Sequence, residues 1–344
     1  MRVALTYNLR REVKVGDNLP DDFYAECDGI ETIEAVKNAI LECHETAVMV
    51  EADEDAYEKL RALRPDIVFN MAEGLWGESR EAQLPAMLEM LRIPYTGSSP
   101  LSLGLCLNKA RAKEVLSHYG VPNSRFIVSD NPDFCFADRS RSNENFFPFP
   151  MIVKPLFEGS SKGIKNDSFV TCPAELETKV RSIVREYSQP ALIEEYLSGR
   201  EFTVALMGNG KTLKVLPIVE INYASLPAGV NHIYSYEAKW IFDRPDNPLD
   251  IFNCPAVLGE ALKNEIEKTA MDAFGALSLR DWCRIDIRLD CKGAPNVIEL
   301  NPLPGILADP KENSCFPKAA RAAGLTFGGL VNGVIDAARV RYGL

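Results

Sequence analysis

The sequence predicts two fold classes in succession: a parallel α/β unit over the first hundred residues, then α+β segments whose strands are mostly antiparallel. Two observations carry this. Strand and helix signals alternate along the first hundred residues, the rhythm that lays helices on both faces of a parallel sheet. From Pro150 onward strand signals dominate, and only one helical segment interrupts them before residue 255. The composition, 46% hydrophobic and 25% charged over 344 residues, is that of a globular chain with room for two or three domains.

Bulk properties narrow the function. Net charge is -11, pI is about 5.0 and no basic stripe is present, so nucleic acid is not an expected partner. The apolar segments are short and interrupted, which predicts no membrane span. "MRVALTYNLRREV" lacks the long apolar core of a signal peptide. Nine scattered cysteines with no C-x-x-C pair read as reduced thiols of a cytoplasmic protein. His44, His118 and His232 are too far apart in sequence to suggest a metal cluster or a catalytic triad.

Taken in order, "RVALTY" is a short apolar strand. "IETIEAVKNAILE" sets Ile30, Ile33, Val36 and Ile40 near one helix face. "TAVMVEA" is a strand, "EDAYEKLRALR" a helix, and "DIVFNMAEG" a strand running into a loop. "REAQLPAMLEMLR" is a helix and "IPYTGSS" a short strand and turn. Ligands of such sheets sit beyond the carboxyl ends of the strands, so "NMAEGLWGES" is a candidate binding loop. No G-x-G-x-x-G follows the first strand, so a dinucleotide site is not supported. "NKARAKEVLSHYG" is a helix closed by Gly120 and Pro122. After "SRFIV", the polar run Ser129 to Asn145 reads as a solvent-exposed, mobile excursion. "PMIVKPL", "SFVTC", "ALIEEYL", "EFTVALMG" and "TLKVLPIVEI" are strands, with the helix "PAELETKVRSIVREY" among them. "PAVLGEALKNEIEKTAMDAFGAL" is a long helix, and "WCRIDIRLD" and "NVIELNPLPG" are strands joined through Gly293.

Chemistry concentrates in a few of these segments. In "IVKPLFEGSSKGI" an apolar strand ends in Lys154 and enters a loop of glycines and serines. That is either a loop closing over phosphate or an ordinary surface hairpin. Asp286 shares a strand face with Arg284 and Arg288, and Glu299 shares one with Asn301 on the next strand. If the two strands pair, Asp286, Glu299 and Asn301 converge as three oxygen donors suited to magnesium. The other reading is an exposed polar face. Lys109, Lys154 and Lys239 suit phosphate, though singly each also reads as a solvated lysine. Glu194, Glu195 and Glu201 in "LIEEYLSGREF" suit an adenine edge and ribose hydroxyls, or form a solvated acidic turn.

The order of these segments resembles the ATP-grasp superfamily, and within it the D-alanine–D-alanine ligases. "EGLWGESREAQLPAMLEMLRIPYTGSSP" is similar to that family's first binding loop and helix, "KPLFEGSSKGI" to its phosphate loop, "YEAKW" to its lysine-bearing loop, and "RIDIRLD" and "IELNPLPG" to its metal strands. The resemblance implies an N-terminal substrate domain over 1–98 and a two-part ATP-grasp fold over 99–190 and 191–344. It implies ATP with Mg2+ or Mn2+, amino-acid or small-peptide substrates, a homodimer, and amide formation through an acyl phosphate. Lys109, Lys154, Ser161, Glu194, Glu195, Leu197, Glu201 and Lys239 would hold the nucleotide. Asp286, Glu299 and Asn301 would hold metal. Arg284 and the Gly305 amide would stabilise the oxyanion, and Ser160 would sit in a lid, Glu158 to Gly163, expected to be mobile without nucleotide. The rival class is a nucleotide-binding protein without ligase activity; the intact metal ligands speak against it.

The chain departs from the family at the amino-acid end. Those ligases hold the first D-alanine with an N-terminal Glu, linked to the lid serine and to a tyrosine. Here Arg10 stands about where the Glu is expected, with Glu12 close by, and Trp240 takes the tyrosine's place. Glu73 lies in the first loop, and Ser314 is the nearest match to the serine that contacts the second substrate. Arg10 and Trp240 together suggest a first substrate that is acidic or N-blocked; the alternative is that Arg10 turns to solvent and Glu12 takes the ammonium.

Overall fold

The computed structural model describes residues 1–14, 19–138, 147–243 and 248–344. Three sheets organise them. The first is parallel, in the order β2 (Thr46–Glu51), β1 (Arg2–Tyr7), β3 (Ile67–Asn70). Alternation along β1 divides its two faces. Val3 and Leu5 pack with Ile33, Val36 and Ile40 of α1 (Ile30–Leu41), while Ala4 packs with Leu60 of α2 (Ala56–Leu63) and Leu84 and Leu88 of α3 (Arg80–Leu91). "IPYTGSS" forms no strand; Tyr95 makes a single bridge to Val68. In its place α4 (Pro100–Leu107) begins, capped by the Ser99 side chain with Pro100 at its first position. Helix α5 (Lys109–His118) follows, capped by Asn108.

The second sheet is antiparallel, in the order β4 (Phe126–Ser129), β7 (Ala191–Glu195), β5 (Met151–Pro155), β6 (Phe169–Val170). Helix α6 (Pro173–Glu186) covers one face through Leu176, Val180 and Ile183. Because β7 lies between β4 and β5, this sheet runs to Glu195, past the boundary expected at 190. Part of the polar excursion, 139–146, lies outside the described residues. The part before it is anchored, since Phe134 is buried in one cluster with Phe147 and Met151.

The third sheet runs β11 (Phe252–Asn253), β10 (Val219–Ile221), β8 (Glu201–Met207), β12 (Trp282–Leu289), β13 (Pro295–Asn301), with β9 (Lys214–Val215) also on β8. "TLKVLPIVEI" thus forms two strands split around Pro217, which has no N–H for the ladder. Helix α7 (Glu260–Ala276) packs on this sheet, with Ile266, Ala270, Ala273 and Phe274 buried. Two helices absent from the sequence expectation close the chain: α8 (Cys315–Ala322) and α9 (Phe327–Tyr342). Helix α9 returns to the first sheet, where Val331, Val334 and Ile335 join the cluster of Val3, Leu5 and α1.

Two neighbouring residues lock the first and third sheets together. Trp282 lies against Phe69 of β3 and Phe316 of α8, at centroid distances of 5.6 and 5.7 Å. Asp281 is fully buried. It accepts from the Gly97 amide at 2.8 Å, from Asn209 Nδ2 at 2.7 Å and from the Arg341 guanidinium at 2.7 Å. Removing one partner of a buried ion pair strands the other, so Asp281→Ala is expected to cost about 3–5 kcal/mol in urea unfolding. A loss near zero would show that the carboxylate is dispensable for joining the sheets.

Candidate active site

The second and third sheets face each other across a cavity of about 240 Å³, closed on its third side by the loops after β1 and β3. Of the site residues singled out in the sequence, only Glu12 stands outside the cavity wall, and it is exposed.

The pairing of β12 with β13 sets Asp286 opposite Glu299 and Arg284 opposite Asn301, with a bulge just after Asp286. Arg284 donates through Nε and Nη2 to both Asp286 oxygens, at 3.1 and 3.0 Å, and Asn301 Nδ2 donates to Oδ2 at 3.1 Å. Glu299 pairs with Lys109 Nζ at 2.9 Å. Burial alone would raise the Glu299 pKa, but Lys109 and Lys154 hold it below its ordinary value. Among the described residues no group of three or more His, Cys, Asp or Glu can hold a metal. The donor set here is instead two carboxylates and an amide oxygen, all hard oxygen donors of the kind that bind one divalent cation together with water and phosphate oxygens.

Across the cavity, β5 ends in Lys154. Its Nζ is 2.6 Å from Glu194, which also meets Lys113 at 2.8 Å and Ser124 Oγ at 3.1 Å. Against the effect of burial, the two lysines hold Glu194 at about 2. The side chain expected to hold nucleotide is therefore engaged in holding Lys154 in place. Its neighbour Glu195 pairs with Arg125 at 2.8 Å. Leu197 is buried in the cavity wall. Glu201 accepts from Arg288 at 2.9 Å and from the Tyr223 hydroxyl at 2.7 Å. Ser314 is likewise engaged. Its Oγ accepts from Leu307 N and donates to Gly305 O, both at 3.2 Å, which shapes the turn carrying the Gly305 amide.

The loop after Lys154, expected from its small residues to be mobile without nucleotide, makes contacts on both sides. The Gly159 amide donates to Glu26 at 2.6 Å and the Gly163 amide to Asp22 at 2.9 Å. Glu26 also binds Arg80 at 2.7 Å and Lys162 at 3.2 Å, and those cations bind Glu158 at 3.1 and 2.6 Å. On the other side Ser161 Oγ donates to Tyr234 O at 2.8 Å, Trp240 Nε1 to Ser160 O at 3.2 Å, and Lys239 Nζ to Ser160 Oγ at 3.4 Å. Lys239 and Trp240 lie on a π-helix, Glu237–Phe242. Ser160 and Ser161 are both left-handed, with φ of 49° and 61°, a strained arrangement that the surrounding contacts enforce.

At the amino-acid end, Arg10 does not substitute for a carboxylate. Its guanidinium stacks 4.6 Å from the Trp240 ring centroid and donates to Cys27 O at 2.9 Å. The acid on the wall beside it is Asp28, one residue before the Gly29 that caps α1. Burial lifts Asp28 to about 7, against the pull of Arg10 and Lys239. Deeper in the same wall, burial and the neighbouring Glu81, Glu26 and Asp28 lift Glu73 well above the carboxylate range, and burial with Glu26 and Glu299 lifts Glu81 to about 8. Asp28, Glu26, Glu81, Arg80 and Lys162 were not singled out in the sequence. The available signal was local for Asp28 alone, an acid just ahead of a helix start.

A lysine-bearing antiparallel sheet closed over a second sheet of paired carboxylates defines an ATP-grasp enzyme, of the type that joins a carboxylate to an amine at the expense of ATP. Within that class the chain belongs to the D-alanine–D-alanine ligase family: residues 115–336 match the family described as D-ala D-ala ligase C-terminus. It is 30% identical to the D-alanine–D-alanine ligase of Pelotomaculum thermopropionicum over 92% of this chain and 93% of that one. It is 36% identical to the uncharacterized protein y4sG of Sinorhizobium fredii, over 90% of this chain and 88% of that protein. The crystal structure of D-alanine–D-alanine ligase from Bacillus anthracis complexed with ATP superposes with a TM-score of 0.74 at 25% identity, over 100% of this chain and 98% of that one.

The contacts to the loop generate a prediction. Without nucleotide, the Gly159 and Gly163 amides are expected to exchange with solvent slowly, and Glu26→Ala to speed their exchange at least about tenfold as the anchoring carboxylate is lost. Exchange in the wild type as fast as in a free loop would contradict this.

Proposed function

We propose that the protein is an ATP-dependent amino-acid ligase that activates one amino acid as an acyl phosphate and joins it to the amine of a second. The observation that carries the reading is the cross-strand convergence of Asp286, Glu299 and Asn301 opposite Lys154. A carboxylate is a poor electrophile, so its attack on the γ-phosphorus of ATP, releasing ADP, converts it into an acyl phosphate with a good leaving group. The amine of the second substrate then adds to that carbonyl and inorganic phosphate departs. Asp286, Glu299 and the Asn301 oxygen would hold Mg2+ or Mn2+, which when bound neutralises phosphate charge.

This chain's own residues supply the remaining parts. Lys154, immobilised by Glu194, and Lys239 meet phosphate oxygens, while Leu197 and the Glu195–Leu197 backbone border the adenine and Glu201 the ribose. Burial, together with Arg284 and Arg10, lowers Lys239 to about 8; phosphate beside it restores the charged form. Arg284 uses Nε and Nη2 on Asp286, which leaves Nη1 and the Gly305 amide for the tetrahedral oxyanion. The fastened loop 158–163 keeps water from the acyl phosphate. Asp28 receives the α-ammonium of the first amino acid. A homodimer in the cytoplasm belongs to the same reading; the nine free cysteines support the location and the net charge of -11 argues against nucleic acid.

Phosphate release from ATP across an amino-acid panel tests the activity. Glu299→Gln is expected to lower turnover by about 100-fold or more while the melting curve stays cooperative. Near-normal turnover would remove Glu299 from the metal site. The pH profile tests Asp28. Its protonated form prevails below about 7 and cannot pair with an ammonium, so kcat/KM for the first amino acid should fall as pH drops through that value. Asp28→Asn is expected to abolish that limb; an unchanged limb would place the titration elsewhere.

A further inference from the structure

The cavity wall carries carboxylates that no cation of the described residues contacts. Nine carboxylates line it, and six are ion-paired at 3.0 Å or closer. The remaining three are Asp28, Glu73 and Glu81. Glu81, in the first turn of α3, is only 8% exposed, yet among the described residues its carboxylate has no hydrogen bond or ion pair. Glu73, on the loop after β3, has none either, and each lies within Coulombic range of the other. The cations that act on the pair are Arg80 and Lys109. Arg80 is committed to Glu26 and Glu158, and Lys109 to Glu299. The other groups felt by the pair, Glu26, Asp28 and Glu299, are acids and deepen the imbalance. A buried carboxylate without a cation keeps its proton, and a ligand cation beside it would let it ionise. An ammonium suits such a pair, because its N–H groups can donate to two carboxylates at once.

We propose that Glu73 and Glu81 form a subsite for a second ammonium group, and that the amino acid activated by this ligase is a diamino acid. Its α-ammonium lies at Asp28 and its side-chain ammonium between Glu73 and Glu81. The inference rests on the ligase reading and adds the substrate class to it. It also reverses the expectation from Arg10 and Trp240: those two residues stack on each other, and the groups without an ion pair on the same wall include three acids, Asp28, Glu73 and Glu81. Burial raises both pKa values, Glu81 to about 8, so Glu81 holds its proton at neutral pH until an incoming ammonium displaces it into solvent.

Phosphate release is measured with D- and L-alanine and with both enantiomers of 2,3-diaminopropionate, 2,4-diaminobutyrate, ornithine and lysine. At least one diamino acid is expected to exceed alanine in kcat/KM by about tenfold or more, and Glu73→Gln and Glu81→Gln each to reduce that ratio about tenfold, with ATP-analogue affinity and melting temperature little changed. Alanine equal to or better than every diamino acid overturns the proposal, as does a preference that both variants leave intact. If no amino acid supports phosphate release, the ligase reading falls, and calorimetry with 2,4-diaminobutyrate and ornithine in the presence of an ATP analogue decides the subsite separately. Binding that releases more protons than alanine binding and is lost in the variants sustains the subsite. No binding, or binding indifferent to both substitutions, overturns it.

Discussion

The Glu26 carboxylate is the interaction on which the site depends. It accepts from Arg80, Lys162 and the Gly159 amide, joining residues 54, 136 and 133 positions apart in the chain. Burial opposes its ionisation, yet Arg80 and Lys162 hold it at about 2. A buried charge is tolerable only when its partners are fully arranged, so this network specifies one position for the loop 158–163. It also ties that loop to the segment carrying Asp28. The wall formed by the loop 158–163 and the wall carrying Asp28 are thereby braced by the same few atoms.

The same logic recurs at the chemistry itself. Lys154 is held by Glu194, Lys109 by Glu299, and Asp286 by Arg284 and Asn301. Each charged group that would act on substrate is aimed by a fixed counter-charge, so little reorganisation is left for the moment of reaction. The Asp28, Glu73 and Glu81 wall is the exception, and an unmatched site within a matched framework is where a ligand's own charge has most effect.

The parts legible in the sequence were those governed by local periodicity. Alternation put Arg284 and Asp286 on one face and Glu299 and Asn301 on another, and strand pairing brought them together, although the bulge after Asp286 leaves no mark in the residues. The β1–α1–β2–α2–β3–α3 rhythm likewise survived folding. What escaped depends on distant packing. "AECDG" reads as an ordinary acidic turn until Arg80 and the 158–163 loop meet Glu26. Helix α9, "FGGLVNGVIDAARVRY", contains three glycines and gains its stability from the sheet it covers. Helix α4 was readable from Ser99–Pro100, but the apolar "IPYTGSS" beside it drew the strand reading. Glu194 shows the limit of residue-type reasoning: a carboxylate beside a nucleotide cavity suited ribose, and only the buried Lys113 reveals that it serves a lysine.

The return of α9 to the first sheet has a consequence for synthesis. Val3, Leu5 and Ile33 belong to a face completed by Val331, Val334 and Ile335, and Ala39 O accepts from Asn332 across 293 residues. A chain made from its N-terminus therefore carries an unfinished apolar face from β1 until α9 has emerged. That face can close only after α9 has left the ribosome, which leaves β1 and α1 open to aggregation while everything between them and α9 is made.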